Sequence, residues 1–175
     1  MIIANFMATH TDLDQVWMVV TPQNPHKTKS SLANNYDRLR LVNLAIGENK
    51  LLKASDIEFS LPVPSYTIDT LTYLKEKYPS KEFVLIMGGD NLATFHKWKN
   101  YEKILEGHEI YVYKRPSYPI GELENHPKIH LFEAPLLGIS STQIRKNMKD
   151  GKSIRYLVTA DVYQYLEDNP IYLRM

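Results

Sequence analysis

No cysteine occurs anywhere in the 175-residue chain, which excludes disulfides and thiolate metal sites and fits a reducing compartment. Long hydrophobic runs are missing as well: no stretch approaches the ~20 apolar residues of a membrane span, and no signal peptide is visible. Charge of one sign is not in excess. Lys+Arg 21 against Asp+Glu 20 leaves a formal charge of +1, so no global field draws the chain to nucleic acid or to a membrane surface, and any anion site must be local. The histidines His10, His108, His126 and His130 lack metal-ligand spacing and read as structural or surface residues. Internal repeats, linkers and low-complexity tracts are absent too. A cytoplasmic protein is expected, in one domain covering residues 1–175, with 43% hydrophobic residues sufficing for a proper core.

What is present alternates. Gln15-Val16-Trp17-Met18-Val19-Val20-Thr21 is a β-rich apolar run ended by Pro22, and Glu82 to Met87 is another, ended by Gly88-Gly89-Asp90. Glu109 to Tyr113 predicts a third strand, halted by Arg115-Pro116, and Lys128 to Phe132 a weaker fourth; Leu51 to Phe59 is a strand or extended segment. Between them, Tyr36, Leu39, Val42 and Ile46 mark one helix, and Ile68, Leu71, Leu74 and Tyr78 another, capped near Ser65. Helices alternating with near-continuous apolar strands imply an α/β fold built on a doubly wound parallel sheet. Ligands of such sheets lie beyond the carboxyl ends of the strands, here the Thr21, Gly88 and Arg115 ends.

The richest segment is Ile139-Ser140-Ser141-Thr142-Gln143-Ile144-Arg145. Pro135 and Gly138 break the chain before it, and an amphipathic period through Ile144 and Met148 ends at Asp150-Gly151, so a helix starts with Ser140 or Ser141 as N-cap. Its unpaired N–H groups and macrodipole favour an anion, the hydroxyls of Ser140, Ser141 and Thr142 add donors, and Arg145 follows within about one turn. An ordinary capped helix with a surface arginine would carry the same residues.

The strand-end loops hold the other candidates. Thr21-Pro22-Gln23-Asn24-Pro25-His26-Lys27 presents Lys27 from a proline frame suited to a phosphate, or to plain solvent. Gly88-Gly89-Asp90 lets backbone approach a ligand, and Asp90 either accepts from a ribose hydroxyl or caps a helix beginning at Asn91. Trp98, among His96, Lys97 and Lys99, is available for stacking on a flat ring, although an amphipathic surface tryptophan looks the same. Ser65-Tyr66-Thr67 opens a helix whose N–H groups suit a carboxylate, or which is simply capped there.

Together these segments resemble the bacterial nicotinate mononucleotide adenylyltransferase family of the nucleotidyltransferase superfamily, over almost the whole chain. Residues 139–145 match the superfamily's C-terminal phosphate motif. The narrower likeness rests on Pro25-His26-Lys27, Ser65-Tyr66-Thr67 with Thr70-Leu71, Gly88-Gly89-Asp90-Asn91-Leu92 with Trp98, Lys114-Arg115-Pro116, and the closing Ile171-Tyr172. The family opens with a strand and a Gly-Ser-Phe-Asn-Pro-x-His-x-Gly-His segment, and this chain has neither. Met1-Ile2-Ile3-Ala4-Asn5-Phe6-Met7 resembles the helix that follows that motif, and its apolar face begins without an N-cap residue. The expectation is a Rossmann-like, three-layer fold lacking its first strand, either because an internal methionine is taken as the start or because the chain has diverged there.

The resemblance implies adenylyl transfer from ATP to nicotinate mononucleotide in NAD biosynthesis, with Mg²⁺ accompanying ATP. It assigns Ser140, Ser141, Thr142 and Arg145 to the ATP phosphates, and Lys27 to the substrate side, with Lys27 and Arg145 stabilising phosphate charge in place of any protein nucleophile. Trp98 would stack on the pyridine ring, Ser65, Tyr66 and Thr67 would lie near the carboxylate, and Asp90 would meet a ribose. The family histidines that stabilise charge at the α-phosphorus are not in this sequence. The alternatives are another small-substrate adenylyl- or cytidylyltransferase, against which Trp98 and Ser65-Tyr66-Thr67 argue, and a nucleotide-binding protein without turnover. Small molecules are the expected partners, with neither nucleic acid nor membrane, and a homo-oligomer is compatible with the sequence.

Overall fold

Hydrogen bonding turns the apolar runs into short parallel strands, each shorter than its run. The computed structural model of the protein describes residues 1–25, 33–114, 121–135 and 137–173. In chain order its elements are α1 (Ile2–His10), β1 (Val16–Val19), α2 (Asn35–Ile46), β2 (Leu52–Ser55), a 3₁₀ turn (Ile57–Ser60), α3 (Thr67–Lys77), β3 (Leu85–Gly88), α4 (Gly89–Leu92), a 3₁₀ turn (Phe95–Lys97), α5 (Tyr101–Gly107), β4 (Ile110–Tyr113), a 3₁₀ turn (Glu122–Asn125), β5 (Ile129–Phe132), α6 (Ser141–Lys149) and α7 (Ala160–Asp168). Two compact units emerge: Met1–Ser60 with Leu137–Met175, and Leu61–Leu136.

In the first unit β1 and β2 pair in parallel, from Val16 opposite Leu52 to Val19 opposite Ser55. Helix α1 packs on both strands, and its Met7 is wholly buried while Ile2 remains half exposed. The segment 51–59, read as strand or extended chain, divides into β2 and a 3₁₀ turn. Asn34 starts α2 by accepting from the Tyr36 N–H at 2.8 Å, and Gly47 ends it at φ 55°, a conformation that favours glycine. Tyr36, expected on the buried face, instead projects into solvent, 72% exposed, with its ring edge-on to Phe59. The reason is that α2 serves two neighbours, β2 and α7, so the apolar surface that matters lies later in the helix. There Leu41, Leu44 and Ala45 join Ile144 and Met148 of α6 around the buried Ile154, Val162 and Leu166.

In the second unit β3, β4 and β5 form a parallel sheet in that order. Its core is built around Phe95, Ile104, Ile110 and Val112, all excluded from solvent. The run from Glu82 yields a strand only from Leu85, where the ladder starts with the Leu85 N–H donating to the Glu109 carbonyl at 3.0 Å. Upstream, the Phe83 carbonyl accepts from His108 Nδ1 at 2.8 Å instead. His130 Nε2 lies 2.7 Å from the Glu109 carboxylate, and His126 Nδ1 accepts from the Lys128 N–H, so these histidines serve local structure. No helix of the described residues is long and apolar enough to cross a membrane.

Phe95 anchors this second core, with Trp98 and Tyr101 both edge-on to its ring at 5.4 and 5.8 Å between centroids. Replacing a buried Phe by Ala costs about 3–5 kcal/mol through lost transfer energy and the residual cavity. Phe95→Ala is therefore expected to lower the urea-unfolding free energy by that amount and to red-shift tryptophan emission. A loss under about 1 kcal/mol, the scale of an ordinary surface change, would contradict the core assigned here.

Candidate functional site

The phosphate motif forms the helix start anticipated for it. Ser140 is the N-cap of α6, with extended φ/ψ, and its Oγ accepts from the Gln143 N–H at 3.1 Å. The Ile144 N–H donates to the Ser140 carbonyl. The cap therefore consumes the third N–H of the helix and leaves those of Ser141 and Thr142 facing outward from an exposed end. Gln143 does not reach back to the cap but donates to Asn147 Oδ1 at 2.7 Å. Arg145, half buried one turn in, has no carboxylate partner among the described residues. Its guanidinium carbon lies 6.0 Å from the centroid of the Tyr172 ring.

Tyr172 sits in a cationic setting. Burial pushes its phenol above the ordinary tyrosine range, Arg145 and Arg38 pull it back, and Asp37 adds a smaller upward push. Arg38, a residue to which sequence reasoning gave no role, makes three fixed contacts: Nη2 donates to the Thr21 carbonyl and to Asn35 Oδ1, both at 2.7 Å, and Nε donates to the Ala33 carbonyl at 3.2 Å. Burial lowers its pKa, with the Tyr172 charge opposing. It thus ties the carboxyl end of β1 to the start of α2. Lys27 itself, His26, Arg115 and Pro116 lie outside the described residues. Nothing in the helical pattern of residues 36–46 separates Arg38 from the neighbouring Arg40.

The second unit gathers Ser65, Tyr66, Thr67, Asp90 and Trp98. Ser65 is not the cap of α3. Tyr66 holds that position without a side-chain cap, its carbonyl accepting from the N–H groups of Asp69 and Thr70 at 3.0 and 3.2 Å. Ser65, one residue too early to reach the helix N–H groups, is buried, and its Oγ has no hydrogen-bond partner among the described residues. Such a hydroxyl is costly to leave dry. Lys99 stands over the Tyr66 ring at 4.5 Å and pairs with Asp69 at 2.9 Å, which links the start of α3 to the residue after Trp98. The Trp98 ring meets Phe95 edge-on, packs partly on the core and keeps part of its surface open. The polar run around it suggested less core contact. The 3₁₀ turn at residues 95–97 rotates Trp98 back onto Phe95.

Asp90 does not cap a helix at Asn91 either. Helix α4 begins two residues earlier, at Gly89, with Gly88 as N-cap, so Asp90 lies inside its first turn, where a carboxylate is favourable. Gly88 is required for close approach: a Cβ there would meet Asp90 Oδ1 and come within 3.0 Å of the Tyr113 ring and hydroxyl. Among the described residues no three His, Asp or Glu side chains converge to hold a metal ion.

The raised Tyr172 pKa carries a stability signature. A phenol that holds its proton more tightly folded than unfolded contributes stability that is complete below the unfolded value, about 10. That contribution declines as pH rises through the folded value. Wild-type melting temperature should therefore fall more steeply above about pH 10 than that of Tyr172→Phe. Parallel curves in calorimetry would mean that the buried phenol does not titrate as described.

Comparison with known proteins supplies the family. A model described as cytidylyltransferase-like matches residues 1–147. The chain is 56% identical over 174 residues to a protein of Flavobacterium johnsoniae named as a probable nicotinate-nucleotide adenylyltransferase, covering 98% of this chain and 90% of that one. It is 43% identical to a Bacteroides fragilis protein of the same name, covering 93% and 81% of the two chains. Among solved structures, the nicotinic acid mononucleotide adenylyltransferase of Plasmodium falciparum complexed with NaAD superposes with a TM-score of 0.77 over 97% of this chain and 90% of that one, at 21% identity. That likeness establishes the fold: α/β with parallel strands, Rossmann-like.

Proposed function

The chain belongs to the nicotinate-nucleotide adenylyltransferase family within the cytidylyltransferase-like group, and on that premise we propose that it transfers the adenylyl group of ATP to nicotinate mononucleotide, making the dinucleotide of NAD biosynthesis and pyrophosphate. The observation that carries the reading is 56% identity over 98% of the chain, joined to an α6 start whose chemistry suits phosphate. The proposed architecture is one nucleotidyltransferase domain of the doubly wound type. The proposed setting is the cytoplasm, and the proposed partners are small molecules.

In this reaction a phosphate oxygen of the mononucleotide attacks the α-phosphorus of ATP. A P–O bond forms there, the bond from the α-phosphorus to the bridging oxygen of the β-phosphate breaks, and the electron pair leaves with pyrophosphate. A phosphate monoester with a second pKa near ~6 is already largely dianionic at neutral pH, so no protein base or nucleophile is needed. The work left to the protein is positioning and charge stabilisation. Mg²⁺ would arrive on the ATP phosphates and would supply charge neutralisation there.

On this reading the N–H groups and hydroxyls of Ser141 and Thr142, beside the Ser140 cap, accept the ATP phosphates, and Arg145 adds a charge-assisted fork from the same helix. Lys27 serves the substrate phosphate. The α3 start at Tyr66-Thr67, free of a side-chain cap, and the dry Ser65 hydroxyl offer donors for the nicotinate carboxylate. The open part of Trp98 offers a face for the pyridine ring, and Asp90 an acceptor for a ribose hydroxyl. Donors at the α3 start, where Lys99 occupies the Asp69 carboxylate, would favour the acid over the amide mononucleotide.

Arg145→Ala is expected to weaken ATP binding by about 1–3 kcal/mol, the scale of a lost charge-assisted hydrogen bond, in calorimetry. Unchanged affinity would remove Arg145 from the ATP site. With Trp17→Phe eliminating the other tryptophan, nicotinate mononucleotide should quench Trp98 fluorescence and bind more tightly than the amide form. Equal affinities would dispose of the carboxylate assignment, and formation of cytidylyl rather than adenylyl product would redirect the whole reading.

A further inference from the structure

We propose that Tyr172 is a positioning residue for Arg145: its ring braces the guanidinium from behind and keeps its N–H fork aimed at the phosphate site of α6. The proposal rests on the assignment of Arg145 to the ATP phosphates. The closing Ile171-Tyr172 pair stood out in the sequence without any task. In the structure it has one, because the two segments meet. Arg145 Cζ lies 6.0 Å from the Tyr172 ring centroid, at the reach of a cation–π contact.

Both partners of that contact are held. Tyr172 packs, half buried, on the cluster of Ile154, Val162 and Leu166, together with Ile144 and Met148 from the same helix as Arg145. Its backbone neighbours are turned tightly, the Ile171 N–H donating to the Asn169 carbonyl at 2.7 Å and the Leu173 N–H to the Pro170 carbonyl at 3.2 Å. Arg38, locked by its bonds to Thr21, Ala33 and Asn35, adds its charge to that of Arg145 on the one phenol.

The chemistry of the brace suits a phosphate-binding arginine. An arginine side chain is flexible and loses considerable rotamer freedom when it binds, so pre-orientation improves affinity. A carboxylate would orient it but would also neutralise the charge and occupy the N–H fork. No carboxylate pairs with Arg145 among the described residues, and an aromatic face restrains the guanidinium while leaving the in-plane donors free.

The test compares calorimetric affinities for ATP and for nicotinate mononucleotide across wild type, Tyr172→Phe, Tyr172→Leu, Arg145→Ala and the double variant Tyr172→Leu/Arg145→Ala, each checked for a cooperative melt. Tyr172→Phe keeps the ring and should bind ATP within about twofold of wild type. Tyr172→Leu should weaken ATP about 3- to 10-fold, the scale of a partly buried cation–π contact, and leave the mononucleotide unchanged. In the Arg145→Ala background it should add nothing. Should the leucine variant fail to melt cooperatively, Tyr172→Met, which fills the space without a π face, takes its place. Additive losses in the double variant, equal losses for both ligands, or a weak Tyr172→Phe would overturn the positioning role while Arg145 stays in the ATP site. An Arg145→Ala variant that binds ATP as wild type does would instead overturn the phosphate assignment, and the brace with it.

Discussion

Every strand pair among the described residues runs parallel, and the organisation of each unit follows from that constraint. Parallel neighbours cannot be joined by a tight turn, so a crossover segment must return the chain to the same starting edge before the next strand begins. Helix α2 does this between β1 and β2, and α5 between β3 and β4. The carboxyl ends of paired strands therefore open on the same side within each sheet, which is where Thr21 and the Gly88-Gly89-Asp90 turn lie. Sequence determines which residues fall at those ends. Parallel pairing makes the ends a common edge.

Around the α6 start, capping and burial divide the work. Ser140 uses its hydroxyl to satisfy one helix N–H, and the two N–H groups before it are the ones assigned to phosphate in the proposed function. Arg38 contributes differently. Its guanidinium gives up water for three hydrogen bonds that join the end of β1 to the start of α2. A desolvated cation is tolerable only because carbonyl and amide oxygens replace the water. Arg145, by contrast, spends none of its donors on a carboxylate among the described residues, and its guanidinium carbon lies 6.0 Å from the Tyr172 ring centroid.

In the second unit the candidate residues are supported by a core rather than by a hydrogen-bond network. Phe95 carries Trp98 on its edge, and the Lys99 contacts to Tyr66 and Asp69 join the Trp98 turn to the start of α3. A rigid aromatic centre thus sets where a stacking face and a helix start stand relative to each other. Ser65 is the exception inside that packing, a buried hydroxyl without a hydrogen-bond partner among the described residues.

The sequence by itself determined the alternation of helix and strand, the helix start at Ser140, the glycine at position 88 and the family. These depend on local rules: hydrophobic period, capping chemistry, the conformational freedom of glycine and an ordered set of short motifs. It set the strands too long, because an apolar run continues until its composition changes whereas a ladder needs a partner, and Phe83 finds His108 instead of a strand. It misplaced the caps at Ser65 and Asp90 because a Ser or Asp near a helix start looks alike at the cap, one residue before it or inside the first turn. Only tertiary structure decided that Tyr36 faces solvent, that Arg38 rather than Arg40 is tied into the loop ends, and that Tyr172 reaches Arg145 across 27 positions of sequence. Contacts between distant segments depend on how elements pack, and no local pattern encodes which of two similar arginines the packing will choose.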